Sequence, residues 1–490
     1  MLTLHKFGLI GGFLLFLTLF NLPAPEGLTP EGWMVVAVAL WMAVWWMTEA
    51  VPISVTAMLP LIIFPALGLG TLKDVGASYA SKAIFLTLGG FIIGVALQRW
   101  QLHVRIAMHT VRLVGTEPRR VVGGFMLASA FLSMWITNTA TTVMMLPIAY
   151  SVAMLLMNES GGDEEKKKHF GTGLMLALAY AASIGGMMTL VGTSTNVMFK
   201  GYFEENFYGL TIDFIDWMMI GVPVGLTMLF ITWILITRIM FPCDLGEHDG
   251  IRQIIQEKLA ELGRMTKGES RTLMVFAITA FLWICKGFLE PILPIELNDA
   301  SIAIFGATLL FIIPADWKKG EMLLRWEDTK EVPWGILILL GGGLALASFL
   351  NDYGVADWLG EQIRSLGDMP IWVLLLLSVG LIIFLSELMS NVATLTAFLP
   401  VIVAVALGFG ENPLQLAVPA ALAASCAFML PIATPPNAIV FGSHLVKIPQ
   451  MAKTGLWLNL IGIVIISAMS YLLLGWVFDV QPGVMPYWAQ

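Results

Sequence analysis

The amino-acid sequence predicts an all-α polytopic membrane protein, with about 11 transmembrane helices and two re-entrant helical hairpins arranged as an inverted repeat. Three observations carry that prediction. Of 490 residues, 58% are hydrophobic and only 12% charged, which is too apolar for a soluble domain and long enough for about ten spans of roughly 20 residues. The run from Phe131 to Pro147, FLSMWITNTATTVMMLP, recurs from Phe384 to Pro400 as FLSELMSNVATLTAFLP at a constant offset of 253 residues. Each copy carries a polar tripeptide at its middle, Thr137-Asn138-Thr139 and Ser390-Asn391-Val392, where hydrocarbon penalises Asn and hydroxyls by roughly several kcal/mol unless something binds them.

Composition also excludes several classes. The net charge of −8 comes with no basic patch, so nucleic acid is not an expected partner. Cys243, Cys285 and Cys426 are scattered and match no disulfide, zinc or redox spacing; packing is their expected role. An intramembrane enzyme would need a nucleophile with a base, or a metal cluster. The apolar segments offer no His near a Ser, no H-E-x-x-H and no paired Asp.

Taken in order, residues 7–22 form a first span, since no A-x-A cleavage pattern follows them. The second runs from about Trp33 to Met47. A third is expected to start at Pro52, with Pro60 in its interior and Gly68 and Gly70 closing it. The fourth covers about Ala83 to Leu97 and leads into an Arg-rich amphipathic stretch holding Arg99, Arg105, Arg112, Arg119 and Arg120. His103 and His109 fall inside that stretch and are expected to be solvated.

Residues 121–155 hold no charge and are flanked by charge on both sides, by Arg119 and Arg120 before and by the run Gly161 to Phe170 after. Two flanks on one face require an even number of crossings. A re-entrant hairpin with the tripeptide at its tip satisfies this. Span five, about Gly173 to Val191, is interrupted at Gly192-Thr193-Ser194-Thr195-Asn196, and span six is about Phe214 to Met240. Between Cys243 and Arg271 an interfacial helix is expected, with Ile251, Ile254, Ile255, Leu259 and Leu262 opposite Arg252, Glu257, Lys258 and Glu261. Spans seven to nine follow at about 272–289, 299–314 and 334–350, with a charged loop Asp316 to Glu331 and a surface-like stretch Tyr353 to Asp368. The second hairpin, about 370–408, carries one charge, Glu387. Span ten, about Leu416 to Leu430, is interrupted at Ala433-Thr434-Pro435-Pro436-Asn437, and the last span is about Leu456 to Phe478. His444, past that interruption, reads as a solvated helix end.

With the N-terminus inside, every Lys and Arg except Lys73, Lys82, Lys200, Lys286 and Arg364 falls on the cytoplasmic side, which the positive-inside rule favours. Five spans separate the hairpins, so the second opens on the opposite face and the repeats are inverted. A helix interrupted at mid-membrane leaves free carbonyls at one end and free N–H groups at the next; the former suit small cations and the latter carboxylates. Breaks of this kind are tolerated only where they are buried or line a cavity. No Lys or Arg lies near them, so bound cations must compensate an anionic substrate. The alternative is helix packing through small polar residues, which stays open for Ser133, Thr141 and Thr142.

These motifs resemble the divalent anion:sodium symporters, the family of sodium-coupled dicarboxylate and citrate carriers. The tripeptides match its paired Ser-Asn-Thr motifs, and Ala424 to Val440, ASCAFMLPIATPPNAIV, is similar to its signature at Ser425, Phe428, Pro431, Ile432, Ala433, Asn437, Ile439 and Val440. The stretch TEAVPISVTAMLP from Thr48 and the QRW of Gln98 to Trp100 are similar as well. The resemblance implies a homodimer whose protomers each pair a static scaffold with a moving transport domain, carrying the site across in elevator fashion. It assigns residues 1–118 to the first four scaffold helices and 119–240 to the first transport half. Residues 241–270 are the cytoplasmic linker helix, 271–368 hold scaffold helices 7–9, and 369–490 form the second transport half.

The resemblance also implies a site. A first sodium ion would take Ser133, Thr137, Asn138 and the carbonyl of Gly192. A second would take Ser386, Met389 by its carbonyl, Asn391 and the carbonyl of Ala433. Substrate carboxylates would meet Asn138, Thr139, Thr193, Asn391, Val392 by its backbone, Thr434 and Pro435. Thr137 stands where the family has Ser, keeping the hydroxyl, and Val392 where some members have Thr, losing one. Glu387 is a candidate for tuning cation affinity, or has a place near the outer mouth or a partner in the scaffold. The expected function is sodium-coupled import of C4-dicarboxylates such as succinate, malate and fumarate across a bacterial inner (plasma) membrane. A sodium-independent dicarboxylate exchanger, a citrate or sulfate carrier and a passive channel are the alternatives.

Overall fold

The computed structural model of the chain describes residues 2–115, 117–158, 163–207, 209–242, 249–292, 294, 296–364 and 369–489. Cys243, Gly161 and Asp368 lie outside the described residues, as do the side chains of Ile251, Arg252 and Arg364. The chain opens with α1 (Leu2–Asn21) and α2 (Pro30–Thr48), which lie side by side with Phe16 and Trp41 rings 5.0 Å apart. Thr29 starts α2 by accepting from the Gly32 N–H at 3.0 Å, and Pro30 fills the first turn, where no N–H is needed.

The expected third span is instead three short helices, α3 (Ile53–Thr56), α4 (Leu59–Ala66) and α5 (Leu72–Ser78). Pro60 sits in the first turn of α4 and not in a helix interior, because its missing N–H suits that position and would break a longer helix. The next pair is α6 (Lys82–Arg99) and the Arg-rich α7 (Leu102–Val114). His103, expected in solvent, is 5% exposed, with Nδ1 3.1 Å from the Leu97 carbonyl. The left-handed turn at Gln101 (φ 50°) folds α7 back against the end of α6 and buries the ring there. His109 is exposed as expected.

The first hairpin is α8 (Pro118–Ser133) and α9 (Asn138–Asn158), and the interrupted span is α10 (Glu164–Gly186) and α11 (Ser194–Asn206). Helix α12 (Phe214–Ile234) runs on into a π-helical turn, Leu235–Met240, and α13 (Asp249–Leu262) covers the stretch where an interfacial helix is expected and packs on α7. Then come α14 (Lys267–Leu289), α15 (Asp299–Ile312) and a two-stranded antiparallel ribbon, β1 (Pro314–Asp316) and β2 (Glu321–Met322), with Pro314 opposite Met322. Helix α16 (Trp334–Asp352) is followed by α17 (Val355–Arg364), which occupies most of the surface-like stretch. The second hairpin is α18 (Ile371–Ser386) and α19 (Asn391–Gly408); the second interrupted span is α20 (Leu414–Ala423) and α21 (Pro435–Phe441), and α22 (Ile448–Val477) closes the chain.

Among the described residues, eight helices are long and apolar enough to cross a membrane, counting α9 and α19, and shorter apolar helices add to them. The first helices of the interrupted spans, α10 and α20, are among the most buried elements. Helix α10 is buried from Phe170 to Gly186 and packs against α8, α9 and α21; α20 is buried at every position and packs against α18, α19 and α22. Backbone interruptions thus lie inside protein, where other groups can satisfy them.

A second polar cluster joins α11 to α14 and α15. Lys200 on α11 pairs with Glu204 at 2.8 Å and Asp299 at 3.1 Å and donates to the Ile212 carbonyl. Lys286 on α14 pairs with Asp213 at 2.5 Å and approaches Asp299 at 3.8 Å. Both lysines are buried, which the hydropathy pattern did not foreshadow.

Candidate functional site

All four interruptions meet at one cavity of about 710 Å³. The first hairpin contributes Thr137, Asn138 and Thr139, and the first interrupted span Gly192, Thr193 and Ser194. The second hairpin contributes Met389, Ser390, Asn391 and Val392; the second interrupted span contributes the run from Pro431 to Pro436. Every residue expected to meet substrate therefore lines this one space. Of the expected cation ligands, only Ser133 and Ser386 do not line it, and both are fully buried. The remaining wall comes from His5, from the end of α2, with Met47, Thr48 and Glu49, and from Ile53, Phe91, Ile336 and Leu339.

The interruptions begin earlier than expected. In the hairpins, Asn138 and Asn391 already open the returning helices, so the turns are residues 134–137 and 387–390. Helix α10 stops at Gly186, and Thr195 and Asn196 belong to α11. Helix α20 stops at Ala423, seven residues short of the expected end, and Pro435 and Pro436 start α21 rather than interrupt a helix. The reason is again that Pro is well suited to a first turn.

The two interrupted spans are built alike. Thr193 and Thr434 precede the second helix with φ, ψ of −144°, 146° and −140°, 148°. Asn196 Nδ2 donates to the carbonyls of Gly186 at 3.2 Å and Thr189 at 2.7 Å. Asn437 Nδ2 donates to those of Ala427 at 3.1 Å and Leu430 at 3.0 Å. The residue numbers of the two sets differ throughout by 241. The spans also touch directly, through Thr195 Oγ1 and Ser425 Oγ at 3.1 Å.

The chemistry is that of neutral oxygens and helix ends. Ser133 Oγ donates to Asn138 Oδ1 at 2.6 Å, while Ser386 Oγ, Asn391 Oδ1 and Thr394 Oγ1 are buried and find no hydrogen-bond partner among the described residues. Unpartnered buried oxygens of this kind fit a small hard cation. The starts of α9, α11 and α19, with their free N–H groups, line the same cavity and fit carboxylates. Among the described residues that line it, none is Lys or Arg, and His5 and Glu49 are the only titratable ones. Nor do the described residues hold a cluster of three or more His, Cys, Asp or Glu that could bind a metal.

Glu387 does not line the cavity, and its partners are not in the segments assigned to the scaffold. Its carboxylate accepts from the N–H groups of Phe428 (2.7 Å), Met429 (2.8 Å) and Leu430 (3.2 Å) and from Asn459 Nδ2 (2.7 Å). It therefore ties the second hairpin turn to the second interrupted span and to α22. His444 is exposed, past the end of α21, and Cys426 is buried. Sequence reasoning missed the roles of Asn196, Asn437 and Thr189; the shared spacing of 241 was the available signal.

Residues 6–478 match the family described as the sodium:sulfate symporter transmembrane region. The sodium-dependent dicarboxylate transporter of Staphylococcus saprophyticus is 43% identical over 472 residues, covering 95% of this chain and 91% of that protein. Its counterpart in Staphylococcus aureus is 41% identical over 469 residues, covering 95% and 90%. Two solved structures share the fold. MtrF of Neisseria gonorrhoeae, described as an antimetabolite efflux pump, has a TM-score of 0.60 at 11% identity, covering 99% of this chain and 97% of its own. The YdaH transporter of Alcanivorax borkumensis has a TM-score of 0.58 at 13% identity, covering 91% and 98%.

Proposed function

The chain belongs to the divalent anion:sodium symporter family, a family of transporters and not of enzymes, and from that premise we propose that it is a sodium-coupled importer of C4-dicarboxylates. The observation that carries this reading is the meeting of four polar interruptions at one cavity, with no Lys or Arg among the described residues that line it. A dicarboxylate brought there carries two negative charges away from water, and unpaired charge at low dielectric is strongly disfavoured. Cations held by Ser133, Thr137, Asn138 and the Gly192 carbonyl, and by Ser386, Asn391 and the carbonyls of Met389 and Ala433, supply the compensating charge. Binding of the anion then depends on sodium, which is what couples the two fluxes. Asn138, Thr139, Thr193, Asn391, Val392, Thr434 and Pro435 hold the carboxylates.

In this reading residues 119–240 and 369–490 form one transport unit that moves against residues 1–118 and 271–368, with 241–270 as the cytoplasmic linker. The protein acts as a homodimer in the plasma membrane with its N-terminus inside. The bonds from Glu387 to residues 428–430 and between Thr195 and Ser425 support movement of hairpins and interrupted spans together.

The test is uptake of labelled succinate into proteoliposomes with and without an inward sodium gradient, alongside Asn138→Ala and Asn391→Ala. Sodium-dependent accumulation abolished by either substitution is the expected result. Uptake that needs only internal dicarboxylate overturns coupling in favour of exchange. Sodium-driven uptake of sulfate or citrate in place of succinate overturns the substrate class.

A further inference from the structure

We infer that Asn196 and Asn437 are twin positioning residues, each locking the geometry of one sodium site by joining its interrupted span to its hairpin turn. The inference rests on the sodium-coupled reading above and gives it an internal framework that the motifs do not state. Both side chains are fully buried, and neither is among the expected ligands.

An interrupted helix leaves carbonyls without partners, and at a cation site some must be satisfied while others stay free. The two asparagines contribute to that division, together with the N–H groups of Gly192 and Ala433, which donate to the carbonyls of Thr189 and Leu430. Each asparagine sits three residues into the second helix and uses one Nδ2 group to bind the carbonyls ten and seven residues before it. The carbonyls of Gly192 and Ala433, four residues before each Asn, receive none of the hydrogen bonds made among the described residues. Among the carbonyls that these stretches leave without a bond, those two are the ones the sodium-coupled reading offers to the cations.

From the second carbonyl the chain of contacts continues to the hairpin. In the first half, Thr189 Oγ1 donates to the Met134 carbonyl and accepts from the Gly192 N–H at 3.1 Å. In the second, the Leu430 N–H donates to Glu387 at 3.2 Å. Met134 and Glu387 occupy the same place in the hairpin repeat, 253 residues apart, and Thr189 and Leu430 the same place in the span repeat, 241 apart. Different side chains thus close the same path in both halves. Gly186, whose carbonyl Asn196 holds, also packs so tightly on Asn138 that a Cβ there would overlap Oδ1. Displacing the Gly186 carbonyl therefore disturbs a sodium ligand directly.

The experiment is sodium titration of the purified protein's melting temperature in choline-balanced buffer, with uptake in parallel, for wild type, Asn196→Asp and Asn437→Asp. Asp is isosteric but replaces the shared donor with a carboxylate facing two carbonyls. Each variant is expected to need at least about ten-fold more sodium for half of the stabilisation, while the succinate KM at saturating sodium changes less than about three-fold. The milder Thr189→Val and Asn437→Ser should shift the sodium requirement in the same direction, and they serve if the Asp variants do not fold. A lowered sodium-free melting temperature with an unchanged sodium requirement marks a merely structural role and overturns the inference. Absence of any sodium response in the wild type overturns the sodium-coupled reading itself, and is told apart by that control.

Discussion

Gly192 is the position where a single methyl group should separate a working cation site from a damaged one. A Cβ built there would overlap the carbonyl oxygen of Gly186 and lie 2.9 Å from that of Ser133. Both oxygens belong to backbone, so neither can swing aside as a side-chain tip would, and the turn must open by several tenths of an ångström. Overpacking of this kind costs about 1–3 kcal/mol. If the strain is relieved by spreading the site, that range corresponds to about a 5- to 150-fold weaker apparent sodium affinity for Gly192→Ala. The assay is initial succinate uptake against external sodium in proteoliposomes, with melting temperature recorded to confirm folding. The repeat supplies its own control, because Ala433 already carries a Cβ at the corresponding place. Ala433→Gly should cost only about 0.5–1 kcal/mol through backbone freedom. A folded Gly192→Ala protein with wild-type sodium half-saturation would refute the argument that this backbone contact sets the site.

Further outcomes follow from other contacts. Asp299→Asn leaves Lys200 and Lys286 buried with one fewer counter-charge, a loss of about 3–5 kcal/mol, measurable as a lower melting temperature in detergent; adding Lys200→Met should recover part of it, and strictly additive losses would contradict the pairing. Burial holds the His103 imidazole below its ordinary pKa of 6.5, against the opposing pull of the Leu97 carbonyl. Its neutral form therefore adds stability in full above about pH 6.5, and the contribution is lost as pH falls through the folded-state value. A melting profile between pH 7.5 and 5 should be flatter in His103→Gln than in wild type, and identical slopes would sink the assignment. The two proposed sodium ions balance a dianion, but the resemblance to the family implies about three per dianion; net positive charge would then move inward, worth about 2.3 kcal/mol per 100 mV, so succinate should evoke a current across a supported membrane, and active protein giving none would exclude that stoichiometry.

The candidate site was legible because hydrocarbon makes polar residues conspicuous: Asn138 lies in a charge-free run and Asn391 in a run whose one charge is Glu387, and both line the same cavity. Helix boundaries were less legible. Pro435 and Pro436 lie in the stretch expected to interrupt span ten, yet proline fits a first turn and they open α21, while α20 ends well before them. Long-range partners left no trace in periodicity. Glu387 meets backbone 41 residues away, and Asn196 and Asn437 act through spacings of ten and seven that match neither helix nor strand. His103 was misread because arginines surround it in sequence, whereas one left-handed residue, Gln101, decides what surrounds it in space.

The twin asparagines also bear on ancestry. The hairpins are related by 253 residues and the interrupted spans by 241, so the two copies of the repeat differ by 12 residues in the length of the stretch joining hairpin to span. Within the same copies Thr189 faces Leu430, Met134 faces Glu387 and Gly192 faces Ala433, while the amide and its two carbonyls match in both. The two halves thus differ in the groups that complete the path and share the group that begins it. A chimaera that duplicates one half in place of the other has its splice points marked by the same rule: it must keep each asparagine with its own two carbonyls.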